Sequence, residues 1–269
     1  MEKNERMNIL ETIIEHKKSE IRNKKSEIPI SDLERDGLFN RKTLSLKKFL
    51  LDESRTGIIA EFKRKSPSKG VIHHNADVVG ITKAYSENGA SALSVLTDEN
   101  FFGGSKDDLV KARNNQIPIL RKDFIIDQYQ ITEAKAMGAD VILLIASCLT
   151  KYEVKRLAQK ARNLGLEVLL ELHDEGELEH ICDETEIIGI NNRDLKTFTV
   201  DIDRSLRMAK KLPADKIKVA ESGISSIESI KLFRENGFHG FLIGENFMKE
   251  KNPAIAFASF VNQLKNGTT

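Results

Sequence analysis

The chain has 269 residues, 42 of them basic and 41 acidic, for a formal net charge of +1. That length suits one α/β barrel and is short for two full domains, and the even charge excludes a general nucleic-acid binder. Two cysteines, Cys148 and Cys182, in apolar contexts and without ligand spacing, read as reduced thiols of a cytoplasmic protein.

In chain order, Met1 to Asn8 is charged and lacks an apolar core, so no secretory signal is expected. Ile9, Leu10, Ile13, Ile14 and Ile21 then recur at helical spacing and predict an amphipathic helix. The charged stretch Lys17–Lys25 reads as its solvated face. Leu44, Leu46, Phe49 and Leu50 predict a second, shorter helix. No Gly/Ser linker follows, so residues 1–50 are expected to form a helical extension packed on a main body of residues 51–269.

From residue 57 onward, apolar runs alternate with amphipathic stretches. The runs are Ile58–Phe62, Ala92–Leu96, Ile117–Leu120, Val141–Ala146, Val168–Leu172, Ile187–Ile190, Ile217–Ala220 and Gly240–Ile243. The longest uninterrupted one, Val141–Ala146, is far too short to span a membrane. Between them lie helix patterns such as Asp77–Asn88, Lys151–Asn163 and Ser226–Glu235, several ending in glycine, as at Gly89, Gly138, Gly165 and Gly237. Strand–helix alternation implies parallel pairing through right-handed crossovers. Eight such units in this length fit a closed (β/α)8 TIM barrel with an N-terminal helical extension.

Polar residues appear where these strands end. Glu61 and Lys63 share one face of the first, Lys122 follows Leu120 on the third, and Glu171 closes the fifth. The sixth runs into Asn191 and Arg193, and the seventh into Glu221 and Ser222. One such residue is as well explained by solvent at a strand end, but five strands ending this way point to an active site at the C-terminal mouth. Ser222-Gly223-Ile224 and Ile243-Gly244-Glu245, after the last two strands, sit where barrels bind phosphate through backbone N–H groups. Lys63-Arg64-Lys65 is too short for a nucleic-acid patch, and His73-His74 has no partner at metal-ligand spacing. His173, two residues past Glu171, would share its face.

The segment Ile59-Ala60-Glu61-Phe62-Lys63-Arg64-Lys65-Ser66-Pro67-Ser68-Lys69-Gly70 resembles the first-strand signature of indole-3-glycerol phosphate synthases. Phe101-Phe102-Gly103-Gly104-Ser105, Leu120-Arg121-Lys122-Asp123-Phe124, Glu171-Leu172-His173, Gly189-Ile190-Asn191-Asn192-Arg193-Asp194-Leu195 and Ala220-Glu221-Ser222-Gly223-Ile224 follow in that family's order. The resemblance extends over essentially the whole chain. It implies a carboxy-lyase without cofactor or metal that closes the indole ring of 1-(o-carboxyphenylamino)-1-deoxyribulose 5-phosphate in tryptophan biosynthesis. By the same resemblance Lys122 is the general acid, Glu171 and Glu61 are the candidate bases, Lys63 binds substrate and donates a proton in dehydration, and Asn191 and Arg193 orient these groups. Ser66, Gly223, Gly244 and Glu245 would meet the phosphate, Glu221 and Ser222 would complete the polar rim, and Phe102, Phe124, Leu143 and Leu195 would form the slot for the aromatic ring. Several relatives carry serine where Glu245 stands; a carboxylate repels a dianion, so only its backbone N–H is expected to face the ligand. A phosphoribosylanthranilate isomerase would lack the extra helices and the Lys63/Lys122 pairing. A non-catalytic metabolite-binding barrel would have no need of acid and base groups. The expected partner is a small-molecule substrate, with no nucleic acid and no membrane, and the chain is expected to act as a monomer. The first helix is expected to pack near the barrel mouth and help enclose the ring.

Overall fold

The structure is a computed structural model and describes residues 8–194 and 197–267. Eight parallel strands close into a barrel: β1 (Ile58–Phe62), β2 (Ala92–Leu96), β3 (Ile119–Lys122), β4 (Val141–Ile145), β5 (Glu167–Leu172), β6 (Ile187–Asn191), β7 (Ile217–Glu221) and β8 (Phe238–Ile243). Closure is made by β1, which pairs with β2 (Glu61 opposite Ser94) and with β8 (Ile58 opposite Phe241). The third strand starts later than its apolar run. Pro118 has no N–H to give a ladder, so pairing begins at Ile119 and carries Lys122 into the strand.

Alternation along each strand divides the core in two. Ile59, Leu120, Val141, Leu143, Leu169, Ile187, Val219 and Leu242 fill the barrel interior. Their outward neighbours, among them Ile58, Ile142, Leu170, Ile188 and Phe241, pack under the surrounding helices. The expected glycines end these helices in the left-handed region, with φ of 100° at Gly89 and 84° at Gly138, letting the chain drop into the next strand. Between β5 and β6 the connection is a 3-10 segment, Glu175–His180, in place of an α-helix. Among the described residues, no helix is long and apolar enough to cross a membrane.

The segment before β1 runs from one end of the barrel to the other. Helix α1 (Ile9–Glu27) opens with reciprocal Asn8 and Glu11 caps and buries Ile13, Lys17 and Ile21. The expectation of a solvated Lys17 is therefore wrong: Lys17 lies a turn from Ile13 and from Ile21, on the buried stripe, at 1 % exposure. After the single turn α2 (Ile30–Leu33), the chain reaches α3 (Leu46–Leu50), whose Leu46 and Leu50 join the interior cluster and close the floor. Fully buried Asp140 clamps this passage, accepting from Leu44 N (2.8 Å) and Ile119 N (2.9 Å) while pairing with Arg41 and Arg113 (2.5 Å each).

Candidate active site

The interior columns of the barrel turn polar at the C-terminal mouth. Ile59 is followed on its face by Glu61 and Lys63, Leu120 by Lys122, Leu169 by Glu171 and His173, Ile187 by Gly189 and Asn191, and Val219 by Glu221. Most of these polar groups line a cavity of about 300 Å³, together with Ser66, Phe102, Phe124, Leu143, Arg193 and the segments Ser222–Ser225 and Gly244–Glu245. Sequence reading thus placed its candidates around one space. Leu195 lies outside the described residues.

Two lysine–carboxylate pairs face each other across this space. Lys63 Nζ is 2.6 Å from Glu61 Oε1, and Lys122 Nζ donates to Glu171 Oε2 at 3.1 Å. Glu171 is the hub: its Oε1 accepts Asn191 Nδ2 at 2.9 Å and lies 3.1 Å from His173 Nε2. Arg193 N donates to Asn191 Oδ1 at 3.0 Å, which fixes the amide so that its NH2 points at Glu171. Glu221 lies over Gly189, where any Cβ would collide with Oε1 of the carboxylate.

Burial and neighbours split the charges. For Lys122, burial opposes ionisation, but Glu171, then Glu221 and Glu61, outweigh it and raise the pKa. For Glu171, burial is likewise overcome, by Lys122 and then by His173 and Asn191, and the carboxyl is held well below the usual range. Burial pushes Glu221 the other way, and the adjacent Glu171 charge adds to it, so Glu221 sits well above that range. Two buried carboxyl groups side by side are therefore pushed in opposite directions, Glu171 toward ionisation and Glu221 toward the protonated form.

His173 shares the Glu171 face and is charged in this setting. Burial opposes the imidazolium, but Glu171 and Glu177 push its pKa from 6.5 up to about 9. A raised folded-state pKa stabilises the fold fully below the unfolded value and is lost as pH rises through the folded one. Thermal stability is expected to fall as pH rises from 6.5 through about 9, and His173→Gln should flatten that decline. Identical pH–Tm slopes in the two proteins would remove His173 as its source.

Phe102 and Phe124 face each other with ring centroids 6.0 Å apart, and Leu143 and Ile145 stand beneath. Ile9, Leu10 and Ile13 of α1 complete this side, so the first helix does reach the mouth. On the opposite side, Ser222 and Gly223 adopt consecutive left-handed conformations (φ 65° and 69°). Val200 fills the space a Cβ on Gly223 would need. Glu245 lines the cavity, and its carboxylate oxygens lie 3.4 Å from Arg193 and 3.8 Å from Lys69, two cations that offset its charge.

Sequence reading passed over Asp98 and Asp123, both buried at the mouth. Asp123 stands inside a motif that had been singled out for its lysine. Asp98 follows β2 on the inward face of Ala92, Ser94 and Leu96, so the same period of two that marked the other strand ends would have found it.

The sequence profile described as indole-3-glycerol phosphate synthase matches residues 10–260. The chain is 48% identical over 258 residues to the indole-3-glycerol phosphate synthase of Bacteroides thetaiotaomicron, covering 96% of this chain and 99% of that protein. Against the enzyme of the same description from Polaromonas naphthalenivorans it is 42% identical over 260 residues, covering 95% and 99%. Among solved structures it resembles tryptophan synthase subunit alpha from Legionella pneumophila at a TM-score of 0.60, with 14% identity over 82% of this chain and 97% of that one. That last likeness concerns the barrel alone. With a family profile along nearly its whole length, relatives sharing almost half its residues and a closed barrel, this chain belongs to the indole-3-glycerol phosphate synthase family, carboxy-lyases of tryptophan biosynthesis.

Proposed function

We propose that the mouth cavity binds 1-(o-carboxyphenylamino)-1-deoxyribulose 5-phosphate and that Lys122 is its general acid. The ring carbon bearing the carboxyl group attacks the sugar ketone while Lys122 protonates the ketone oxygen. Loss of carbon dioxide restores the aromatic ring. The new hydroxyl then leaves as water, protonated by Lys63, as Glu61 takes the proton from the adjacent sugar carbon. Glu171 keeps Lys122 ionised and aimed, with Asn191 and Arg193 holding Glu171 in turn. Phe102, Phe124 and Leu143 flank the ring. The phosphate meets Ser66, Ser222, Gly223, Gly244 and the Glu245 backbone, near Lys63, with Glu221 on the rim. The observation that carries this reading is the Lys122–Glu171 pair at 3.1 Å, a half-buried cation held on a buried carboxylate at the barrel mouth. Membership of a family of tryptophan biosynthesis supports a cytoplasmic setting.

The chain has no Trp and three Tyr, so an indole product is visible by its fluorescence above the enzyme. The purified protein should generate that signal from the anilino sugar phosphate without added cofactor. Substrate consumed with no indole emission would refute the reading.

Inorganic phosphate should compete with substrate. A Cβ on Gly244 would lie 2.5 Å from Glu61 Oε1 and 2.9 Å from Glu61 Cβ. Gly244→Val therefore crowds both the anion loop and a carboxylate of the proposed dehydration, and kcat should fall along with a rise in KM. A variant changed in KM alone would show that Glu61 is uninvolved in turnover.

A further inference from the structure

Lys17 is a buried cation on the extension, and its contacts lead into the site. Its Nζ lies 3.0 Å from Asp98 Oδ2, 3.0 Å from Asp123 Oδ1 and 2.8 Å from Glu20 Oε2. Both aspartates are 1 % exposed and follow barrel strands, Asp98 after β2 and Asp123 directly after Lys122. Each also holds the backbone next to it. Asp98 Oδ1 accepts the N–H of Phe101 at 2.8 Å and of Phe102 at 3.3 Å, and Asp123 Oδ1 accepts the N–H of Phe124 at 2.8 Å. Asp123 Oδ2 is taken by Thr97 Oγ1 (2.6 Å) and Arg121 (3.1 Å), and Arg121 pairs in turn with Glu133 at 2.7 Å. The cation on α1 thus touches both carboxylates that set the backbone of Phe102 and Phe124.

We propose that Lys17 is a positioning residue of the reaction, bridging Asp98 and Asp123 so that Phe102, Phe124 and Lys122 keep the spacing the substrate ring requires. The proposal rests on the reading of Phe102 and Phe124 as the ring slot. Removing three charged groups from water costs several kcal/mol per ion, and apolar residues of the same volume hold helices to barrels as well or better. The ion cluster does something an apolar contact cannot. It ties two separate strand ends, by directional bonds, to one point on a third element. Nearer the N-terminus of that same helix, Ile9, Leu10 and Ile13 face the slot, so the cation that orders the two loops also registers the helix that lines the slot.

The test compares wild type, Lys17→Met, Lys17→Met with Asp98→Asn, and Phe124→Ala. It reads KM for the anilino sugar phosphate, the inhibition constant of inorganic phosphate, and Tm. Lys17→Met leaves Asp98 with an unpaired buried charge and lowers Tm. The double variant removes that charge, keeps an amide oxygen for the Phe101 and Phe102 N–H groups, and should recover Tm. In both, KM is expected to rise by roughly ten- to a hundredfold, the effect of a small misplacement of binding groups, while phosphate inhibition stays as in wild type. A wild-type KM in the folded double variant, with KM raised in Phe124→Ala, overturns the proposal and leaves the ring slot standing. A parallel loss of substrate and phosphate binding also overturns it, because a helix that merely fastens the fold weakens both. A wild-type KM in Phe124→Ala removes the ring slot itself.

Discussion

Lys122→Met is expected to lower kcat by roughly 10²- to 10⁴-fold, the usual contribution of a positioned proton donor, with inhibition by inorganic phosphate unchanged. Methionine keeps the length of lysine but carries no proton to give. The substitution also strips Glu171 of its first charge partner. His173 and Asn191 remain on Oε1, so the carboxylate stays hydrogen-bonded but titrates higher, and the fold should lose stability by up to about 3–5 kcal/mol, as when one member of a buried pair is removed. Single-turnover rates with the anilino sugar phosphate separate the two effects. Near-normal turnover in the folded variant would take Lys122 out of the acid role.

Glu171→Gln is expected to cut kcat by roughly 10²-fold or more and to change the shape of the pH–rate profile, not just its height. The amide places an NH2 where Glu171 had been an acceptor from Lys122 or from Asn191, so one of those bonds is lost. Lys122 loses its largest charge partner, while Glu221 loses the neighbour that helped hold it protonated. Glu221 should then shift back toward an ordinary carboxylate, while burial, the larger cause, still holds it above that range. The acid limb of kcat should shift accordingly. A profile identical in shape to wild type would show that the split between these two carboxyl groups has no part in turnover.

The barrel was legible because its strands are short apolar runs separated by helical stretches, several of them closed by glycine, and the period of two along each strand fixes which residues face inward. The same period pointed to Glu61, Lys63, Lys122, Glu171, Asn191 and Glu221 at strand ends, and in the structure these residues line one cavity. Boundaries slipped where a backbone group decided them, as at Pro118, which hydropathy does not register. Lys17 was misread because a charge on a helix predicts solvent unless its partners are known. Those partners lie at positions 98 and 123, and no local pattern connects them. Glu245 shows the same limit: its repulsion of an anion was foreseeable, but the two cations that flank it were not.

The extension carries a consequence for the order of assembly. Its first helix is bound by groups such as Asp127, 102 residues further along than Lys25, and its last reaches Glu186, 139 residues beyond Lys47. During synthesis these helices leave the ribosome long before the surfaces that cover them exist. Their apolar stripe, with Ile13, Ile21, Leu46 and Leu50, must wait while the first half of the barrel is made. Contacts so distant along the chain are slow to close, and a waiting apolar segment is exposed to aggregation and to chaperones. Residues made before the barrel are therefore among the last to find their places, and the ring-binding side of the mouth is finished only when they do.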